Sequence, residues 1–333
     1  MKATAIVFEA ERRVGLTKIE LPAPTENDLV VRLTCSGISV GTERWALIGQ
    51  RVEIKYPNVP GYLGVGVVEK VGSACEGFAQ GDRVFFFISR LPEPYGSNSW
   101  MGTHLSHAVV PFKFGNDWPP YICKIPDAID DGAAAMAGLA SVSARGADMI
   151  KVVTSDIAVV LGLGLIGQSS AQVLRAKGAR VVVADMLESR VQQALDVGCE
   201  EGVVLDGGPI LPQLKHLIPE AGADIVVDTT SVAPVVNQVG DLLKMEGQFI
   251  LQGYYPGETP VVFDGLHGKR ALIRIPCAQS LEAHEYCHRL MLGGMLKLNP
   301  FVTHTFSPND AAEAYAMVVD RPQEFTGIVF DWS

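Results

Sequence analysis

Two stretches of the chain carry residue types at spacings that could do chemistry. Residues 284–288 read HEYCH, an H-E-x-x-H. On a helix its two imidazoles fall on one face, one turn apart, which suits a zinc peptidase with the glutamate as base. Residues 162–167 read GLGLIG, a G-x-G-x-x-G. Its chemistry is phosphate binding. Gly162 permits a tight turn, Gly164 lets backbone approach a pyrophosphate, and Gly167 lets helix and strand pack closely. The helix that opens with Leu165 and Ile166 presents free N–H groups and its positive dipole end to the phosphates.

Context separates the two motifs. GLGLIG follows the apolar run IAVVL and opens a helix-like segment, Leu165–Lys177. The next apolar run, RVVVAD, ends at Asp185, about 20 residues on, where an acid that accepts from ribose hydroxyls is expected. A carboxylate there repels a 2′-phosphate and favours NAD; Arg190 nearby could meet a phosphate and keeps NADP open. The plainer alternative is a tight strand–helix turn with a surface aspartate. HEYCH has no such support. It is followed by RLMLGGM, not by a third histidine. Glu313 is a conceivable distant third ligand, but its segment reads as an amphipathic packing helix. HEYCH is expected to lie on an ordinary surface or inter-domain helix.

The elements that must position these residues fall into two textures. From Met1 to about Pro111, short apolar or alternating runs (TAIVF, DLVVRLTCSG, GVGVVEKVG, DRVFFFI, HLSHAVVP) are broken by Gly, Pro, Asn and Asp, which reads as β. From about Asp130, an Ala-rich helix leads into alternating strands and helices: DIAVVLGLG, LIGQSSAQVLRAKG, ARVVVAD, ESRVQQALDVG, ADIVVDTT, VAPVVNQVGDLLK, GQFILQGYY. Near-continuous Val/Ile/Leu strands between amphipathic helices imply a parallel sheet covered on both faces. LEAHEYCHRLMLGG and PNDAAEAYAMVV read as further helices and TGIVFDW as a last strand, returning to the first part.

Bulk properties bound the answer. The 333 residues suit two domains, and 48% hydrophobic content with 19% charge allows a large core. A net charge of −10 and a pI near 5.2 leave no basic footprint for nucleic acid or an anionic membrane surface. No apolar run reaches membrane-spanning length. MKATAIVFEAERR reads as a first strand, not a signal peptide. Six cysteines (Cys35, Cys75, Cys123, Cys199, Cys277, Cys287) are scattered without a C-x-x-C, which suggests reduced thiols in a cytoplasm.

The order of β-rich part, Rossmann unit and short return resembles the medium-chain dehydrogenase/reductase superfamily across nearly the whole chain. PTENDLVVRLTCSGIS, PGYLGVGVVEKVG, GDRVFFF, GTHLSHAVVP, GLGLIG and NPFVTHTFSPNDAAEAYAMV carry the resemblance. It implies an α/β chain: a GroES-like β-rich catalytic domain over residues 1–124 and 282–333, and a doubly wound parallel-sheet Rossmann domain over 125–281. SGISVGTE (36–43) is most similar to the zinc-independent branch around bacteriochlorophyllide a dehydrogenase, which oxidises a hydroxyethyl group on a tetrapyrrole. Zinc-dependent members carry a Cys in G-I-C-G-T-D; here GISVGTE puts Ser39 or Val40 there. Their G-H-E triplet is Gly61-Tyr62-Leu63, and FFFISRLPEPYGSNSWM (85–101) has no Cys for a structural zinc lobe. A phenol and a leucine cannot close a zinc site, so no metal is expected.

Without zinc, side chains must hydrogen-bond the reacting oxygen and move its proton. The resemblance places this chemistry between the two domains and supplies the candidates by matched position. Tyr62 replaces a zinc-binding histidine and is the first choice for proton donor or acceptor. Thr42 matches a relay hydroxyl, and Ser39 could bond the substrate oxygen. Glu43 is either a base or an ion-pair partner for an arginine. His104 falls where the family lines the substrate pocket and is a second general-base candidate. His107, on the opposite strand face, is expected to be packed. Trp45 and Trp100 could stack on a ring-bearing substrate.

The expected activity is NAD-dependent interconversion of a secondary alcohol and a ketone. The alternative is an NADPH-dependent enoyl or quinone reductase acting on an activated C=C. A nucleotide-binding regulatory protein with a dead site is a third reading, which four clustered hydroxyl or imidazole groups oppose. The expected partners are a small-molecule substrate and a second copy of the chain, paired through RALIRIP (270–276) as an edge strand.

Overall fold

The computed structural model of the chain describes every residue except Val52, Trp100, 114–121 and Ala278. The chain folds into two compact units: Met1–Gly138 with Val302–Ser333, and Leu139–Phe301. Both boundaries fall later than the sequence suggests, for local reasons. The Asp131–Asp148 helix begins in the first unit, where Arg83 pairs with Asp131 and Gly138 packs against Leu63 and Phe85. The Leu281–Leu292 helix stays in the second, because the Lys297 backbone beyond it exchanges hydrogen bonds with Gln172.

The first unit is the β-rich one. A hairpin of β1 (Lys2–Ala10) and β2 (Arg13–Glu20) stands beside a larger sheet. That sheet contains β3 (Asp28–Gly37), β4 (Gly64–Val71), β5 (Arg83–Phe86), β6 (His107–Pro111) and β7 (Ile122–Lys124). Its centre is β3, which pairs with both β4 and β6. DLVVRLTCSG is buried along most of its length, as a strand with covered faces must be. β2 was not legible in the sequence: RVGLTKIE is largely exposed and holds no apolar run.

The second unit is a six-stranded parallel sheet. In chain order its strands are β8 (Ile157–Leu161), β9 (Arg180–Asp185), β10 (Glu201–Val204), β11 (Ala223–Asp228), β12 (Leu243–Leu251) and β13 (Leu272–Arg274). Their spatial order, β10-β9-β8-β11-β12-β13, is the doubly wound Rossmann arrangement. IAVVL, RVVVAD and ADIVVD are buried almost throughout, which is why they read as unbroken apolar runs. The crossover helices include Leu165–Ala176 and Glu188–Asp196. VAPVVNQVGDLLK forms two short helices, Ala233–Val236 and Val239–Leu242, rather than one. The tail returns to the first unit as β14 (Val302–Phe306), the Ala311–Asp320 helix and β15 (Gly327–Asp331), with β15 paired to β3. Among the described residues, no helix is long and apolar enough to cross a membrane.

Candidate active site

In the second unit the glycine loop sits at the end of β8, next to β11, where the strand order reverses. Gly162 adopts φ +86°. A Cβ on Gly167 would lie 1.8 Å from the Gly162 carbonyl oxygen, so helix and loop can meet only at glycine. Gly164 is different. It caps the Leu165–Ala176 helix, and a Cβ there would meet nothing within 4 Å. Its open face lies over the helix's unsatisfied N–H groups, which is the space a pyrophosphate needs. Thr229, just past β11, donates to the Gly162 carbonyl at 2.9 Å and holds the loop from the other side. Sequence reasoning missed Thr229, because its partner lies on another strand.

Asp185 ends β9 and is buried. Its Oδ2 accepts from the Leu163 N–H at 2.6 Å and its Oδ1 from the Leu187 N–H at 2.9 Å. Each oxygen keeps a lone pair for a further donor, such as a ribose hydroxyl. Arg190 stands with Nη1 4.0 Å from Asp185 Oδ2. Leu165 and Ile166 open the helix from the loop that the sequence singled out, with Asp185 and Arg190 beside it. The residues present fit a dinucleotide.

In the first unit the candidates form a hydrogen-bonded cluster. Ser39 is the N-cap of the Val40–Leu47 helix, which carries Thr42 and Glu43 in its first turns. Tyr62 comes from the segment before β4, and its hydroxyl shares a short hydrogen bond with Ser39 Oγ and lies 3.3 Å from Thr42 Oγ1. Burial pushes the Tyr62 phenol above its ordinary value, and the Glu43 charge adds to the rise. It therefore holds its proton at neutral pH. Two alcohols and a phenol are a weak donor set for zinc, which takes thiolate, imidazole or carboxylate.

Two candidates stand elsewhere than the sequence placed them. His104 does not line a pocket. It is completely buried, with its ring edge-on to Phe330 at 5.2 Å and its nitrogens facing Ser36 and Glu43. No substrate can touch it there. It also precedes the strand it was expected to begin, since β6 starts at His107. Glu43 pairs with no arginine among the described residues. Its carboxylate accepts from the Ser39 N–H at 2.7 Å, from His104 Nε2 at 3.0 Å, and from the Tyr315 hydroxyl. It is 2% exposed, so it is closed off as a base for substrate. His107 is half-buried with Nε2 4.0 Å from Glu69, not packed away. Trp45 is half-buried beneath the Arg44 guanidinium, 5.0 Å from the ring centroid. Trp100 lies outside the described residues. Ser36, Tyr315 and Trp332 belong to the cluster and were missed.

HEYCH lies on the Leu281–Leu292 helix, as its period required. Both histidines are buried while Glu285 is exposed. The glutamate is therefore on another face and cannot serve as their base. Glu313 is exposed on the Ala311–Asp320 helix.

Comparison with known proteins agrees with this anatomy. Residues 25–113 match the family model for the alcohol dehydrogenase GroES-like domain, and 166–286 that for the zinc-binding dehydrogenase. The chain is 27% identical to 2-desacetyl-2-hydroxyethyl bacteriochlorophyllide A dehydrogenase of Cereibacter sphaeroides, over 100% of this chain and 99% of that protein. Among solved structures it resembles a short chain alcohol dehydrogenase of Escherichia coli complexed with NADH, with TM-score 0.85, 20% identity and 99% of each chain covered. It also resembles a zinc-binding dehydrogenase of Sinorhizobium meliloti bound to NADP, with TM-score 0.84, 18% identity and 99% of each chain covered. A GroES-like domain followed by a Rossmann domain, each with its own family match, places the chain in the medium-chain dehydrogenase/reductase superfamily, as an alcohol dehydrogenase-like oxidoreductase.

Proposed function

We propose that the protein interconverts a secondary alcohol and a ketone, with NAD(H) as cofactor and without zinc. One observation carries this reading: the Ser39, Tyr62 and Thr42 hydroxyls form one hydrogen-bonded group, on residues that the family resemblance matches to the metal ligands and relay of zinc-dependent members. A nicotinamide cofactor, when bound, supplies or accepts the hydride. Gly164, Leu165 and Ile166 would hold its pyrophosphate, and the free lone pairs of Asp185 its ribose hydroxyls. The acidic partner favours NAD, with Arg190 too close to Asp185 to stand as an unopposed phosphate site.

The proton is handled by this chain's own residues. Tyr62 keeps its phenolic proton at neutral pH, so it donates a hydrogen bond to the oxygen that becomes an alkoxide. In the reductive direction it gives that proton up, and Ser39 and Thr42 stabilise the phenolate left behind. Similarity to an enzyme named for a hydroxyethyl substrate supports the alcohol side of the chemistry. The substrate is a small molecule, and a bulky ring-bearing secondary alcohol is the first class to try.

Tyr62→Phe keeps the ring and removes the proton. It is expected to lower kcat by ~100-fold or more, at the low end for a positioned acid or base. KM for the cofactor should stay within about two-fold, because the glycine loop belongs to the other unit and would hold the phosphates through its own groups. Full kcat in that variant would remove Tyr62 from the mechanism. Elemental analysis of the purified protein checks the metal: stoichiometric zinc would contradict the zinc-free reading.

A further inference from the structure

Beneath the hydroxyl group lies a chain of hydrogen bonds with a fixed direction. The Trp332 indole N–H donates to Ser36 Oγ at 2.8 Å. Ser36 Oγ lies 2.7 Å from His104 Nδ1, and His104 Nε2 lies 3.0 Å from Glu43 Oε2. Tyr315 donates to the same carboxylate oxygen. The Ser39 backbone N–H donates to the other, at 2.7 Å. Ser36, His104 and Tyr315 are fully buried and Glu43 nearly so.

An indole can only donate, and this settles where the protons are. Ser36 Oγ must accept from Trp332, so its own proton points at His104 Nδ1. That nitrogen is then an acceptor, and the ring proton sits on Nε2 and points at Glu43. The opposite tautomer would turn Nδ1–H toward Ser36 and strand the serine proton in a fully buried site, at the cost of an unsatisfied donor. Every donor therefore runs one way, toward the carboxylate. Glu43 in turn reaches back over one helical turn to the N–H of Ser39, the residue that caps its own helix. The same Ser39 holds the Tyr62 hydroxyl.

We propose that Trp332, Ser36, His104 and Tyr315 form a one-way donor array that fixes the Glu43 carboxylate on the Ser39 N–H at the start of the Val40–Leu47 helix, and that they thereby act as positioning residues for the Ser39, Tyr62 and Thr42 hydroxyls. Ser36, His104 and Tyr315 are fully buried and out of reach of substrate. The array gathers β3, the segment before β6, the Ala311–Asp320 helix and the residue after β15 onto a single carboxylate. Gly61 makes this possible, since a Cβ there would come within 2.7 Å of the His104 ring. What the positioned hydroxyls do rests on the alcohol–ketone reading; the array itself does not.

The test uses the whole chain, with ¹⁵N-labelled histidine and ¹³Cζ-labelled tyrosine. Wild-type His104 should show a protonated Nε2 and a bare Nδ1. Trp332→Phe keeps the packing but removes the first donor, and Tyr315→Phe removes the last. Trp332→Phe should shift the His104 Nδ1 resonance through Ser36, and both variants should shift the Tyr62 Cζ resonance. Both should lower kcat on an alcohol or ketone by ~10-fold, the scale of one hydrogen bond, with KM for NADH unchanged. If Trp332→Phe fails to fold, Ser36→Ala breaks the same link. A His104 proton on Nδ1 in the wild type, or resonances unmoved in both variants, would overturn the array. Moved resonances with unchanged kcat would overturn its positioning role. Moved His104 and Tyr62 resonances in a native chain that turns over no alcohol or ketone would uphold the array and sink the alcohol–ketone reading instead.

Discussion

At the residue scale the two halves of the chemistry differ in how local they are. GLGLIG makes its turn and opens its helix from consecutive residues, so its role was legible from spacing alone, although Thr229 across the strand order was not. The structure separates the three roles by what a methyl group would meet. Gly164→Ala puts its Cβ into open space, so the fold should keep its wild-type melting temperature while NADH binding weakens by ~10-fold or more through crowding of the phosphate site. Gly167→Ala drives its Cβ into the Gly162 carbonyl and should destabilise the fold by about 1–3 kcal/mol. Thermal melts and NADH titrations of both variants check the contrast; equal melting temperatures would show that the loop relaxes where the geometry says it cannot. The Glu43 partners illustrate the opposite case. Tyr315 lies 272 residues away and Trp332 bonds Ser36 across 296. No period or motif links such positions. Glu43 therefore read as an open question and His104 as a pocket residue.

At the element scale, hydrophobic period found the longer helices and most core strands, but not the short Val40–Leu47 helix and not what the helices face. The Leu281–Leu292 helix is the instructive one. Its i, i+4 histidines are buried, with ring centroids 4.6 Å apart. Burial pushes His288 down to about 4, and burial with the neighbouring His288 pushes His284 well below its ordinary value. Both are neutral in the folded chain at pH values where the unfolded chain protonates them. The stability they allow is therefore complete above about pH 6.5 and falls as the pH drops toward 4. For His288 alone the loss reaches about 3 kcal/mol. Urea unfolding at pH 7 and pH 4.5 should show it, and His288→Gln should flatten the difference. An identical pH dependence in the variant would contradict the buried, neutral assignment. Two of the strands the sequence missed, β2 and β10, are short on buried residues: RVGLTKIE has one buried position and EGVV has none. Pairing with neighbours, not burial, makes them strands.

At the scale of the whole molecule, the fold class and the order of the two domains were legible because each domain has its own texture. Their boundaries were not, because a boundary is set by which neighbours a helix packs against. Gly138 against Phe85 and Lys297 against Gln172 decide it, and neither pair is adjacent in the chain. The edge of the parallel sheet carries a further expectation. β13 pairs only with β12 among the described strands, and Leu272 and Ile275 are exposed along it. We propose that β13 pairs with its copy in a second chain to make a homodimer. Light scattering should give twice the chain mass, and a monomeric mass at micromolar concentration would contradict it.

In the proposed reaction, hydride goes to a C=O, with NADH, under the control of the Ser39–Tyr62–Thr42 hydroxyls. An α,β-unsaturated ketone offers the protein both a C=O and a C=C. The most direct measurement supplies a panel of such ketones with NADH and, separately, with NADPH, and identifies the product by mass and NMR. An allylic alcohol is expected, formed faster with NADH. A saturated ketone, formed faster with NADPH, would contradict it, making the protein an enoyl reductase and Tyr62 a wall of its pocket.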